Sequence, residues 1–183
     1  MQSSNSLYEY SFLVKKVKFN ISYLPLIKVM SSFFVHGFFI AFIFILNAIY
    51  GTPFDPAWFQ IFYYTFASCV LLVGLSWIAS SITVFWKDFS HLINVVLQVG
   101  FWATPVFWDP GNMNEGILNV LRFNPFYYIV EGYRRSFVAG EGGYLPIFAN
   151  WKMSIYYWVF AIIVFVLGLL LFKKLSKHYA DLI

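Results

Sequence analysis

Cysteine is nearly absent: Cys69 stands alone among 183 residues, so no intrachain disulfide framework can form. Charge is scarce as well, at 11% of the chain against about 25% in an average soluble domain. No G-x-x-x-x-G-K-[ST] loop is present to cradle a nucleotide phosphate, and no G-x-G-x-x-G opens a helix. There is no Cys/His cluster with metal-ligand spacing and no evident catalytic triad. The opening MQSSNSLYEYSF lacks the basic flank and apolar core of a signal peptide. Together these gaps exclude a soluble enzyme, a disordered tail and a disulfide scaffold. What fills the chain is apolar: 61% hydrophobic and 23% aromatic, with a mean hydropathy of +0.71. The composition is that of an integral membrane protein whose own residues are not expected to make or break covalent bonds.

The few charges are unevenly placed. Stretches 29–54, 56–86, 89–108 and 153–172 contain no Asp, Glu, Lys or Arg. A helix crossing the hydrocarbon core needs about 20 apolar residues, so each stretch has room for one crossing. The expected spans are 29–49, 58–80, 90–108 and 153–172. The last of these, MSIYYWVFAIIVFVLGLLLF, is apolar all round, which a barrel strand of alternating character is not. Lys15, Lys16, Lys18, Lys28, Lys87, Lys173, Lys174 and Lys177 fall on one side of this arrangement. Arg122, Arg134, Arg135 and Lys152 fall on the other. Basic residues collect on the cytoplasmic face, which puts both termini of this chain in the cytoplasm.

Two segments are not simple spans. Residues 6–19, SLYEYSFLVKKVKF, mix aromatics with three lysines. Such a segment is either a basic flank held by anionic lipid or an interfacial helix that docks into a cytoplasmic partner. Residues 114–138 hold two apolar stretches, each too short to span, divided at Asn124-Pro125. The residue before a proline is pushed out of the helical region, so two short helices are expected here. With Tyr127 and Tyr128 as interfacial aromatics, they are read as a hairpin re-entering the outer leaflet, the alternative being a plain surface pair. Glu131, Arg134 and Arg135 have the i, i+3, i+4 spacing of a local ion-pair set; a guanidinium there also suits a phosphate-bearing substrate. Pro105 either kinks the third span or ends it. His36 lies inside the first span, and Gln60 and Gln98 lie near or within others, where such groups are functional candidates.

The motifs resemble those of a known family. Leu13-Val14-Lys15-Lys16-Val17-Lys18-Phe19 with Leu24-Pro25-Leu26 is similar to the coupling segment of ABC-2 type transporter permeases, more narrowly those exporting polysaccharide and teichoic acid. Val84-Phe85-Trp86-Lys87-Asp88-Phe89 resembles the family's aromatic, basic-Asp turn. Thr104-Pro105-Val106-Phe107 with Asn124-Pro125-Phe126-Tyr127-Tyr128-Ile129-Val130-Glu131-Gly132-Tyr133-Arg134 resembles its kinked fifth span and re-entrant helix.

The resemblance implies one all-α transmembrane domain over 1–183. Its four helices match spans three to six of a six-span family, so the chain is expected to be truncated at its N-terminal side. It implies a homodimer that moves a lipid-diphosphate-linked glycopolymer outward across a bacterial cytoplasmic membrane. A separate ATPase subunit would drive it with ATP and Mg, and the permease would hold no cofactor or metal of its own. An exporter of drugs or lipids and a non-transporting scaffold remain as alternatives. Tyr8, Phe12, Leu13, Lys15, Lys16 and Val17 would couple to the ATPase. Trp77, Phe101, Trp102, Phe107, Trp108, Tyr127 and Tyr128 would line the substrate path, and Asn124, Pro125, Glu131 and Arg134 would shape the hairpin.

Overall fold

A computed structural model describes residues 3–12, 21–108, 110–137 and 150–179. Leu13, Lys15, Lys16 and Val17 lie outside the described residues. The described fold is all-α. In chain order the helices are α1 (Ser6–Glu9), α2 (Tyr23–Ile49), α3 (Gln60–Phe85), α4 (Phe89–Trp102), α5 (Glu115–Leu121), α6 (Pro125–Phe137) and α7 (Trp151–Leu175). Single 3-10 turns occupy Pro56–Phe59, Pro110–Asn112 and Ser176–His178.

Three helical stretches are long and apolar enough to cross a membrane: Tyr23–Ile49, Pro56–Phe85 and Trp151–His178. The shortest has 27 residues, about 40 Å at 1.5 Å per residue, which exceeds a ~30 Å hydrocarbon core. The first and third begin before their charge-free stretches, and the third also runs past its end, whereas Pro56–Phe85 stays within its own. The first takes in Lys28, which a flank can hold by snorkelling toward the headgroups.

The third expected span differs most. α4 has 14 residues and stops at Trp102, six short of the expected 108. Pro105 supplies the reason. It has no N–H, its ring crowds the carbonyl one turn back, and it disfavours helix at Thr104. Thr104 and Pro105 are both buried, while Val106 and Phe107 after them are exposed.

The described residues form two packed units. The first is drawn from Met1–Phe54, Cys69–Ile93 and Val164–Ile183. Its core joins Leu7, Leu24, Val29, Val73, Trp77, Val84, Phe172 and Tyr179. Here α3 and α7 approach backbone to backbone at two glycines. A Cβ on Gly74 would lie 2.7 Å from Phe165 Cα, and one on Gly168 would strike the Gly74 carbonyl oxygen. Small residues that let helix backbones touch are a means of association in lipid, where no hydrophobic drive acts between helices.

The polar side chains of α3 in this unit turn back on their own helix. Ser76 donates to Val73 O at 2.8 Å, Ser80 and Ser81 to Trp77 O at 3.3 and 2.6 Å, and Thr83 to Ala79 O at 2.7 Å. Back-bonding of this kind satisfies a hydroxyl that has no water to turn to. Tyr179 donates to Ser81 Oγ at 2.8 Å, and burial pushes its phenol up to about 12, which keeps the donor proton in place at cellular pH. By contrast α2 presents most of its large apolar side chains outward, with Phe34 84% exposed. Such a surface suits lipid or another helix.

The second unit is drawn from Asp55–Ser68 and Asn94–Ile163. Side-chain caps start its short helices. Asp55 Oδ1 accepts from Ala57 N at 2.7 Å, Asn114 Oδ1 from Gly116 N at 2.8 Å, and Asn124 Oδ1 from Phe126 N at 3.0 Å. These are the residue types that satisfy the orphan amides of a helix start. Pro125 sits at the first helical position of α6, where its missing N–H costs nothing.

Candidate functional site

Two regions carry the residues singled out above, one in each unit. In the first unit α1 is pinned by its polar tips. Tyr8 Oη donates to Val84 O at 2.9 Å, and Lys87 Nζ lies 5.2 Å from the centre of the Tyr8 ring. Burial raises the Tyr8 phenol pKa, so it remains a donor. Glu9 meets Lys28 at 2.8 Å, and the same ammonium stands over Tyr10. Leu7 is fully buried beneath them. Tyr8 therefore faces the turn after α3, while Phe12 is exposed and free to meet something else.

In the second unit α6 is tied to the broken end of α4 by side chains at its two ends. Asn124 Nδ2 donates to Thr104 Oγ1 at 3.0 Å and reaches Gly100 O at 3.4 Å. Arg134 Nη2 donates to Pro105 O and, at 3.1 Å, to Trp108 O. Glu131 is mostly buried. It accepts from Arg135 Nε at 2.8 Å and stands 3.6 Å from Arg134 Nη1. The expected local ion-pair set is thus present, with Arg134 turned toward backbone carbonyls.

The aromatics singled out for a substrate path fall into different settings. Phe101, Trp102 and Phe107 touch one another, with ring centres 5.5 to 6.3 Å apart. They are exposed, Trp102 by 65% and Phe107 by 73%. Half-buried Trp108 donates its indole N–H to Trp102 O at 3.2 Å. Tyr127 and Tyr128 are buried within the unit. Trp77 is buried in the first unit, edge-on to Phe165, and donates to Ser22 O at 3.2 Å. In the present conformation those three are packing residues.

A buried phenol network was not singled out from the sequence. Tyr128 Oη bonds Tyr63 Oη at 3.1 Å and Ser154 Oγ at 3.0 Å, and Trp158 Nε1 donates to Tyr63 Oη at 2.7 Å. Tyr157 donates to Ala67 O, and Thr65 pairs with the Tyr133 phenol, both at 2.7 Å. Tyrosine and tryptophan carry a polar tip that must be partnered once buried. The density of such residues over 58–65 and 151–158 was the available signal.

Comparison with known proteins follows the same order of residues. The ABC-2 type transporter family model matches residues 2–138. The O-antigen export system permease protein RfbA of Klebsiella pneumoniae is 25% identical over an alignment of 185 residues, which takes in 99% of this chain and 69% of the relative. A second Klebsiella pneumoniae protein of the same description is 24% identical over the same shares.

Proposed function

Because the chain belongs to the ABC-2 type transporter family, we propose that it is the membrane-spanning permease of a bacterial exporter that moves a lipid-diphosphate-linked glycopolymer outward. A separate ABC ATPase docks on the segment 6–19, binds ATP and Mg, and supplies the driving force. The permease works as a pair of identical copies. Similarity along the whole chain to O-antigen export permeases supports a polysaccharide cargo; a teichoic acid is the same class of polymer.

The observation that carries the cargo reading is the exposed ring group Phe101, Trp102 and Phe107 at the broken end of α4. Sugar rings stack by their C–H faces on aromatic faces while their hydroxyls stay at the rim. A sliding polymer needs contacts of that kind, weak and repeated. Residues 103–108 lack the regular helical ladder, and irregular backbone at membrane depth is tolerated where protein or a water-filled cavity covers it.

Export is tested with the ATPase subunit present, by surface delivery of the polymer normalised to permease in the membrane. Loss of one ring contact of about 1 kcal/mol corresponds to roughly a fivefold change. Trp102→Ala and Phe107→Ala should each lower delivery by about that factor with the permease level unchanged. Full delivery from the double variant would remove the rings from the path. A drug or lipid exporter would retain ATP-driven efflux of small amphiphiles without polymer delivery. A scaffold would co-purify with no ATPase at all.

Orientation has its own check. Lys87 and Lys177 should face the cytoplasm, and Arg122 and Lys152 the outside, by the eight-to-four split of basic residues. Single cysteines at these positions in a Cys69→Ser background should react with an impermeant maleimide in intact cells at 122 and 152. Reaction at 87 and not at 152 would invert the arrangement.

A further inference from the structure

An unpartnered backbone group at membrane depth costs several kcal/mol. Residues 103–108 have left the helix, and Val106 N reaches back only to Thr104 O at 2.7 Å. The carbonyls freed by this break are met by two side chains of the hairpin. Arg134, in the last turn of α6, holds both Pro105 O and Trp108 O with one terminal nitrogen. Asn124, at the start of α6, gives Nδ2 to Thr104 Oγ1, whose own proton goes to Gly100 O at 2.6 Å. The other end of the Asn124 amide is fixed by Phe126 N. The break is therefore gripped from both ends of a 13-residue helix.

We propose that Asn124 and Arg134 are positioning residues that clamp 103–108 along α6, so that the broken end of α4 and the hairpin move as one body when the transporter cycles. The proposal rests on the transport reading given above. Its physical basis is the cost of letting go. If 103–108 moved away from α6, Arg134 would lose two carbonyl partners at once and be left beside the mostly buried Glu131. A guanidinium presents several donors in a planar fork; here one nitrogen serves both carbonyls while the other stands 3.6 Å from the Glu131 carboxylate. Lysine has the charge without the fork. Re-forming regular helix through 103–108 would strand both hairpin side chains, and Pro105 already opposes it. Phe107 lies on the clamped segment and touches Phe101 and Trp102 at the end of α4 just before it, so the position of the ring group follows α6.

The measurement uses the full chain with its ATPase partner in lipid, with spin labels at Val106→Cys and Val130→Cys in a Cys69→Ser background. The distance between them should stay the same, within one helical turn or about 5 Å, in the nucleotide-free and ATP-trapped states. Arg134→Gln should broaden or shift that distance and cut polymer delivery at least tenfold at equal permease level. Arg134→Lys should likewise keep the permease level and still lose the fixed distance. A change of more than one turn in the unsubstituted protein would overturn the clamp, and that result does not depend on any Arg134 or Asn124 variant folding. So would Arg134→Gln with an unchanged distance and full delivery. Absence of delivery by the unsubstituted complex, with the distance fixed, would instead sink the transport reading.

Discussion

Gly168→Val should remove most of the folded protein from the membrane. The position faces the Gly74 carbonyl oxygen directly, and the reciprocal position at Gly74 faces the Phe165 backbone at 2.7 Å. Neither obstacle is a side chain that can rotate away. Overpacking typically costs 1–3 kcal/mol, and a clash between two main chains belongs at the upper end, about 3 kcal/mol. Marginal stability makes such a loss visible as a large fall in folded protein. The control is Gly37→Val in α2, where an added Cβ meets nothing within 4 Å. Monodisperse protein recovered in mild detergent, with its thermal midpoint, separates the two. Equal recovery and equal midpoints for both variants would mean that α3 and α7 do not cross this closely.

Ile129→Lys should disable the protein where Pro125→Ala barely perturbs it. Ile129 is 6% exposed on α6, beside Tyr127 and Tyr128, which are also buried. An ammonium placed there has no acidic partner supplied for it, and an uncompensated buried charge costs several kcal/mol. Pro125 occupies the first helical position, where alanine also fits and no hydrogen bond is gained or lost. Its replacement should stay within about 1 kcal/mol. The two are compared by polymer delivery per permease and by resistance of the purified chain to heat. The hairpin is proposed to lie in the outer leaflet. A spin label at Ile129 as open to water-soluble relaxant as one at Gly142 would replace that placement with a plain external loop.

Much of the architecture was legible because charge is so sparsely used. Four charge-free stretches announced four apolar helices, and the division at Asn124-Pro125 needed only local chemistry: a capping side chain followed by a residue suited to a first helical turn. The end of the third helix was harder. Its charge-free stretch runs to Trp108, yet α4 stops at Trp102, because hydropathy reports solvent preference and says nothing of the missing amide at Pro105. The partners of Arg134 were beyond reach for another reason. Pro105 and Trp108 lie 29 and 26 residues away, and no local spacing brings a guanidinium to a carbonyl at that separation. Trp77 shows the same limit from the other side. In an apolar helix a tryptophan facing protein and one facing a path have the same neighbours in sequence. Its burial against Phe165 and its bond to Ser22 are settled by which helix lies alongside.

The back-bonded hydroxyls of α3 have a mechanical consequence. Ser76, Ser80, Ser81 and Thr83 have each given their proton to their own helix, so none of them has a donor left to offer a neighbouring helix. Such residues hold a neighbour by dispersion contacts alone, each worth about a tenth or two of a kcal/mol, unless the neighbour brings a donor of its own. Of these four side chains, Ser81 also accepts a proton from a distant residue, Tyr179. That phenol supplies the missing donor and adds a directional bond worth ~1 kcal/mol to the packing. A Tyr179→Phe chain would keep the dispersion contacts and lose that one bond.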